Sequence, residues 1–225
     1  MIFTIDTLRT QLSELFYRYP ELEISSQDNN KVLISGNIQV FVCNYSFTLN
    51  KTYGIDIIIP INSDELPYVI DKNNYISKKY RHRYNTGKLC LETDSAIRLR
   101  FFDGFSLVDW MREFVETYFF SYEYFMRYNC YPFGERAHGL EGIIQTYSDI
   151  FNTKDLYQTF CILAYISLKV YRGHDKCPCG SELHLRNCHG KTIISFYDHP
   201  TKRAIAQNDY KLIYKEVKKY GRNKN

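Results

Sequence analysis

Three cysteines and a histidine crowd one short stretch near the end of the chain, Cys177-Pro-Cys-Gly-Ser-Glu-Leu-His-Leu-Arg-Asn-Cys-His-Gly190. The ligand spacing is C-x-C-x8-C-H, through Cys177, Cys179, Cys188 and His189. Zn²⁺ takes four ligands in a tetrahedron and favours thiolate and imidazole. A C-x-C turn can present two sulfurs to one ion, and the Gly180-Ser181 pair lets the chain reverse and return with the second pair. The expectation is one structural zinc with all four positions filled by protein, which leaves no open position for a catalytic water. His184 is the substitute ligand should His189 not serve, and a cysteine cluster without metal is the competing reading.

A second cysteine has a different setting. Cys90 ends the segment Arg81-His-Arg-Tyr-Asn-Thr-Gly-Lys-Leu-Cys-Leu91, where His82, Arg83, Asn85 and Lys88 precede it. Positive charge beside a thiol lowers its pKa, and the thiolate is the attacking species. The chemistry on offer is acyl transfer through a cysteine thioester. The competing reading is a buried strand cysteine between Leu89 and Leu91. Cys161, inside an apolar run, reads as a small buried side chain.

These groups need a scaffold, and 225 residues with 44% hydrophobic content supply one domain of ordinary size and an appendage. The 21 Tyr and 15 Phe suit an aromatic core and an interface. A net charge of +4 does not call for nucleic acid. The start, MIFTIDTLRTQ, lacks a secretory pattern, and the most apolar stretch, Phe160 to Val170, is too short to span a bilayer. Seven cysteines, an odd number, suit a reducing compartment. The expectation is a cytoplasmic protein with no membrane partner.

Periodicity then orders the elements. Leu8, Leu12, Leu15, Phe16 and Tyr19 share one helical face that Pro20 ends. Ser25 to Lys31 reads as a loop. Strand patterns follow at Lys31 to Gly36, Gln39 to Val42, Tyr45 to Asn50 and Ile55 to Ile59, an antiparallel meander with short turns. Pro60 to Asn74 is turn-rich. Ser106 with Asp109 forms a capping box for a helix striped by Leu107, Trp110, Met111, Phe114, Val115 and Tyr118. Tyr131 to Gly139 reads as a loop in which Glu135, Arg136 and His138 make an ion-pair turn. Helices are expected at Leu140–Phe151 and Asp155–Tyr171, and a last one from Gln207 with a basic, solvated side. The fold class is α+β, divided as 1–150, a helical connection 151–175, and a metal knuckle with its helix at 176–225.

Two resemblances sharpen this. The CPCGS opening and NCHG close resemble the SEC-C motif of the preprotein translocase ATPase, a zinc-binding protein-recognition knuckle, over about fourteen residues. Gly87-Lys-Leu-Cys-Leu91 matches the G-x-[IL]-C-L ending of the active-site segment in prokaryotic relatives of ubiquitin-conjugating enzymes. The order of helix, meander, irregular segment and crossover helix is similar to that family over residues 1–150. The resemblance implies that Cys90 carries a protein tail as a thioester and passes it to a lysine. The family's eukaryotic members place His-Pro-Asn upstream, and its Asn supports the oxyanion. Here His82 aligns with that Asn and Arg81 with the Pro, so His82 or Asn85 is the candidate. Asp94 or Asp103 could orient the amine, a solvated acid being the default. Stand-alone relatives with such a tail resemble the conjugating component of CBASS-type anti-phage operons. The implied cargo is the C-terminus of a nucleotidyltransferase that makes a cyclic nucleotide, or else a ubiquitin-like protein. An inactive tail-binding adaptor and a zinc-containing nucleic-acid- or protein-binding module are the other readings.

Overall fold

The computed structural model describes residues 2–44 and 47–222, which form two compact units. The first comprises Met1–Glu92 with Gly104–Glu135, and the second Thr93–Asp103 with Arg136–Asn225.

In the first unit, Thr4 caps helix α1 (Ile5–Arg18) in a reciprocal box with Thr7. Its Leu8, Leu12 and Leu15 are buried, and the helix ends ahead of Pro20 as the sequence predicts. A four-stranded antiparallel meander follows: β1 (Leu22–Gln27), β2 (Lys31–Asn44), β3 (Phe47–Pro60) and β4 (Tyr68–Asp71). The central pair runs in unbroken register from Lys31↔Pro60 to Asn44↔Phe47, so the short strand patterns belong to two long strands. Tyr45 and Ser46, the start of one expected strand, lie outside the described residues. Inward residues face each other across that pair, Val32 with Ile59, Ile34 with Ile57 and Ile38 with Tyr53. Gly36 is opposite Ile55 on the same face, where a Cβ would stand 2.0 Å from the Glu21 carbonyl oxygen. Only glycine lets β1 cross there.

Two expected loops contain strand. β1 extends through Ser25 to Gln27 with a bulge between Ile24 and Ser26, and β4 lies inside the turn-rich span. Both are edge strands of the sheet. Main-chain pairing holds them, and an edge asks little apolar alternation of its outer face.

The sheet is covered by a helical rod: α3 (Leu107–Trp110), a π-helical stretch Met111–Glu116, and α4 (Thr117–Tyr128). Ser106 accepts from the Asp109 amide at its start. Trp110, Met111, Val115 and Phe119 are fully buried, and the Phe119 ring stacks on Tyr53 at 4.0 Å between centroids. Glu116, in the π stretch, accepts the Tyr19 hydroxyl at 2.6 Å. Burial and that carboxylate push the Tyr19 phenol far above its usual range.

The second unit is helical: α2 (Asp94–Arg100), α5 (Gly139–Phe151), α6 (Leu156–Leu168), α7 (Gly190–Tyr197) and α8 (Pro200–Arg222). The last helix thus begins before Gln207, with Ala206 buried in its first turns. Tyr147, Phe151, Ile162, Leu163, Ile166, Ile193, Phe196 and Ile213 fill its core. Helix α5, expected to close the first domain at residue 150, packs here on α6 and α8. Its apolar stripe needs partners, and these two helices supply them. Cys161 on α6 is half-buried, less enclosed than expected. Among the described residues no helix is long and apolar enough to cross a membrane.

Inside this unit Tyr147 donates to Asp209 at 2.8 Å. Burial raises the Asp209 carboxyl above its usual range, against the lowering influence of Tyr147, Ser95 and Arg98. The folded unit therefore holds that proton more tightly than the unfolded chain. This contribution is complete below the ordinary carboxylate pKa and is lost as pH rises through the raised value. Asp209→Asn keeps an acceptor for Tyr147 and removes the titration. In thermal melts from pH 4 to 8, the variant's midpoint should gain on the wild type as pH rises. A constant difference across that range counts against the assignment.

Candidate functional site

The metal centre is built by a small reversal in the second unit. Lys176 and His184 form an isolated antiparallel bridge, the Cys177 amide donates to Leu183 O, and the Gly180 amide to Cys177 O. Gly180 has φ +81, the left-handed turn position for which glycine is suited. The turn Leu185–Asn187 follows, the Cys188 amide donates back to Leu185 O at 3.0 Å, and His189 stands at the N-terminus of α7. Gly190 is forced here as well, because a Cβ would come 2.5 Å from the Leu185 carbonyl oxygen.

This backbone brings all four expected ligands together, with their donor atoms within 4.8 Å of one another. His189 Nδ1 lies 3.3 Å from Cys177 Sγ and 3.2 Å from Cys188 Sγ, and the sulfurs of Cys179 and Cys188 are 3.6 Å apart. Metal–sulfur bonds of about 2.3 Å and metal–nitrogen bonds of about 2.0 Å, arranged tetrahedrally, need edges of roughly 3.5–3.8 Å. The cluster is within a few tenths of an ångström of that frame, so it could hold a metal ion. His184 is elsewhere engaged: its Nδ1 donates to the His174 carbonyl at 2.6 Å. Burial pushes the Cys177 thiol up to about 12. For Cys179 burial also acts upward, yet hydrogen bonds from Ser181 and the neighbouring thiols bring it down to about 6. Crowded thiols that divide their protons unequally are a set from which an ion displaces protons on binding.

Cys90 lies in the first unit, beyond β4. Residues 84–88 form a tight turn in which the Gly87 amide donates to Tyr84 O and the Tyr84 amide to Lys88 O. Gly87 takes φ +87 there. The returning arm attaches to the sheet edge: Ile70 bridges Lys88, Arg83 bridges Leu89, and the Leu89 amide donates to Val69 O. Extended backbone alternates its side chains. Leu89 is buried, and Cys90 turns the other way and is partly exposed. The reading of a sealed strand cysteine does not describe this residue.

The peptide of His82 is held firmly beside Cys90. Its carbonyl accepts the Cys90 amide at 2.8 Å and the Tyr118 hydroxyl, from α4, at 3.0 Å. The imidazole packs against Tyr80 and, edge-on, against Tyr131, with centroids 5.4 and 5.3 Å away. A His82 ring nitrogen and Cys90 Sγ lie within 4.8 Å of each other. The Tyr84 hydroxyl is 3.6 Å from the sulfur. Asn85, the other oxyanion candidate, lines a polar cleft of about 310 Å³ with Asp56, Asp71, Lys72, Asn74 and Lys78. Cys90 is not among the residues of that cleft.

The remaining candidates are placed as follows. Glu135 pairs with Arg81 at 3.1 Å in the first unit, and Arg136 pairs with Asp149 in the second. Both partners lie outside the Tyr131–Gly139 loop, so these are not the pairs within the turn that were expected, and as exposed pairs each contributes at most about 1 kcal/mol. His138 is the cap residue preceding α5. Asp94 opens α2 and Asp103 follows it, both exposed and both in the second unit. Sequence reasoning did not single out Tyr84, Tyr80, Tyr118 or Tyr131, although the abundance of tyrosine was the available signal. Compared with models of known protein families, with curated proteins and with solved structures, the chain matches none.

Proposed function

We propose that the first unit is a ubiquitin-conjugating-like acyltransferase that forms a thioester on Cys90. The observation that carries this reading is the partly exposed Cys90 sulfur, with a His82 ring nitrogen within 4.8 Å and the Tyr84 hydroxyl at 3.6 Å. The element order also supports it: a leading helix, a four-stranded antiparallel meander, an irregular cysteine segment and a long helix on the sheet. That order is the one expected of a ubiquitin-conjugating-like fold.

The chemistry balances as two acyl transfers. The Cys90 thiolate attacks the carbonyl of an activated C-terminus, forms the C–S bond and expels the activating group. A lysine amine then attacks the thioester carbonyl, the C–N bond forms, the C–S bond breaks, and the amine proton passes to solvent or a nearby base. Between those events the carbonyl oxygen carries negative charge. A His82 ring nitrogen within 4.8 Å of the sulfur is near enough to reach that oxygen. A donor about 2.7–3.1 Å from an oxyanion is the arrangement that stabilises it. His82 is therefore favoured over Asn85 for this role.

The second unit, on this reading, carries one structural Zn²⁺ on Cys177, Cys179, Cys188 and His189. Three thiolates with one imidazole form a borderline-soft set suited to zinc, and four protein ligands leave it no catalytic position. The knuckle serves protein recognition, and the protein works in the cytoplasm. The cargo follows from the family resemblance: the C-terminus of a CBASS-type nucleotidyltransferase, with anti-phage defence as the setting.

Incubation of the purified chain with the cargo and an activating enzyme should give an adduct that a thiol reductant dissolves. Cys90→Ser should accumulate an oxyester that resists reductant, and Cys90→Ala should give neither. A folded wild-type protein that forms no adduct with that cargo sinks the proposal.

A further inference from the structure

Cys90 must be ionised to attack, and the groups that face it decide how readily that happens. Within its unit these are His82, Tyr80, Tyr84 and Tyr118, with Tyr131 and the Glu135–Arg81 pair further out and Asp71 and Arg83 behind Tyr118. Tyr80 and Tyr118 are pushed far up by burial, and a charge on Cys90 opposes their ionisation further. Both therefore stay protonated while the thiol titrates. Tyr118 is committed to the His82 carbonyl at 3.0 Å. The hydroxyl that reaches the sulfur belongs to Tyr84, 3.6 Å away and within range of an O–H···S bond.

The turn places Tyr84. The Tyr84–Lys88 and Gly87–Tyr84 main-chain bonds fold the loop so that residues six apart approach each other. The Tyr84 side chain is itself 51% exposed. A large apolar ring held at the surface, with its polar end on a thiol, suggests a role in reactivity more than in the core.

We propose that Tyr84 is a catalytic residue, whose hydroxyl donates a hydrogen bond to the Cys90 thiolate and so favours the ionised nucleophile. No proton leaves the tyrosine. The bond weakens once the sulfur is acylated, because a thioester sulfur carries no charge, and this releases Tyr84 from the reaction path. The inference rests on Cys90 being the nucleophile of the proposed conjugation, and its test does not require conjugation.

The experiment is the pH dependence of Cys90 alkylation by iodoacetamide in the full chain. It is read by mass spectrometry of the Cys90 peptide, for wild type, Tyr84→Phe and Tyr17→Phe, the last a 91% exposed tyrosine on α1. A hydrogen bond to a charged group that is lost on one side of a titration moves a pKa by about one unit. Tyr84→Phe should shift the midpoint upward by about that much. Nucleophilicity rises with thiol pKa, with a slope of about 0.4–0.5, so the alkaline plateau should rise about threefold. The two profiles should therefore cross, with the variant slower near neutral pH and faster in alkali. Tyr17→Phe should follow the wild type. A loosened loop that merely exposes Cys90 would raise the rate at every pH without moving the midpoint, and that result overturns the proposal, as do superimposable profiles. Crossing profiles without any conjugate would retain the role of Tyr84 and reject the conjugation reading. A conjugate with unmoved profiles would do the reverse.

Discussion

Removal of the proposed Zn²⁺ from Cys177, Cys179, Cys188 and His189 is expected to melt the Lys176–Gly190 segment while most of the helix content remains. Cys177, Cys179 and Leu185 belong to the second unit's core, so the knuckle is continuous with that core. Structural zinc contributes about 10–16 kcal/mol of apparent binding energy in zinc-finger peptides. A whole domain is stable by only about 5–15 kcal/mol. Leu185 is the one large apolar side chain that the knuckle buries, and turn-closing main-chain bonds of about 1 kcal/mol each do not replace the ion. The helical residues Tyr147, Phe151, Ile162 and Phe196 pack mainly with Leu163, Ile166, Ile193 and Ile213 in the same core and should persist. A chelator should therefore abolish amide-exchange protection at Cys177, Leu185 and Cys188 with little loss of helical circular dichroism. Cys188→Ser should purify without stoichiometric metal, and His184→Ala should keep it. A Cys188→Ser protein with one tightly held equivalent would refute the ligand set.

The second large effect concerns the proposed transfer from Cys90. His82→Ala should slow attack of lysine on the thioester by about 10²–10³-fold, the usual consequence of losing one oxyanion donor. Loading of Cys90 should fall less, because the sulfur itself is retained. Asn85→Ala should stay within a few-fold of wild type, since Asn85 faces the cleft lined by Asp56, Asp71 and Lys72. Single-turnover discharge of preloaded enzyme onto free lysine would measure both. If Asn85→Ala were the slower variant, the roles would be reversed. If neither variant slowed discharge, the oxyanion would have to find its donor elsewhere, for instance in main-chain amides.

The metal cluster was legible because its information is local: four ligand types, two glycines and a fixed spacing within one turn of chain. Helices α1, α5 and α6 were legible because their apolar stripes repeat at helical period. The edge strands β1 and β4 were not, since β1 buries only its first residue and β4, though it alternates, is four residues long, too short to show a period. The setting of Cys90 was half legible. Its basic and polar neighbours in sequence pointed to reactivity, but the Tyr118 hydroxyl that fixes the His82 peptide comes from 36 residues away. No local pattern distinguishes that tyrosine from the others on the same helix. The placement of α5 in the second unit was hidden for the same reason, since an apolar stripe states that a partner is needed and not which one.

The π-helical stretch Met111–Glu116 has the form that one inserted residue gives to an α-helix. An α-helix turns by about 100° per residue, so everything beyond the stretch is rotated from where an uninterrupted helix would aim it. Tyr118 and Phe119 lie directly beyond it, one braced against the His82 peptide and the other against Tyr53. Deleting a single residue there would straighten the rod and swing both rings off their marks, so the aim of the cysteine loop is calibrated by one surplus residue in the helix that braces it.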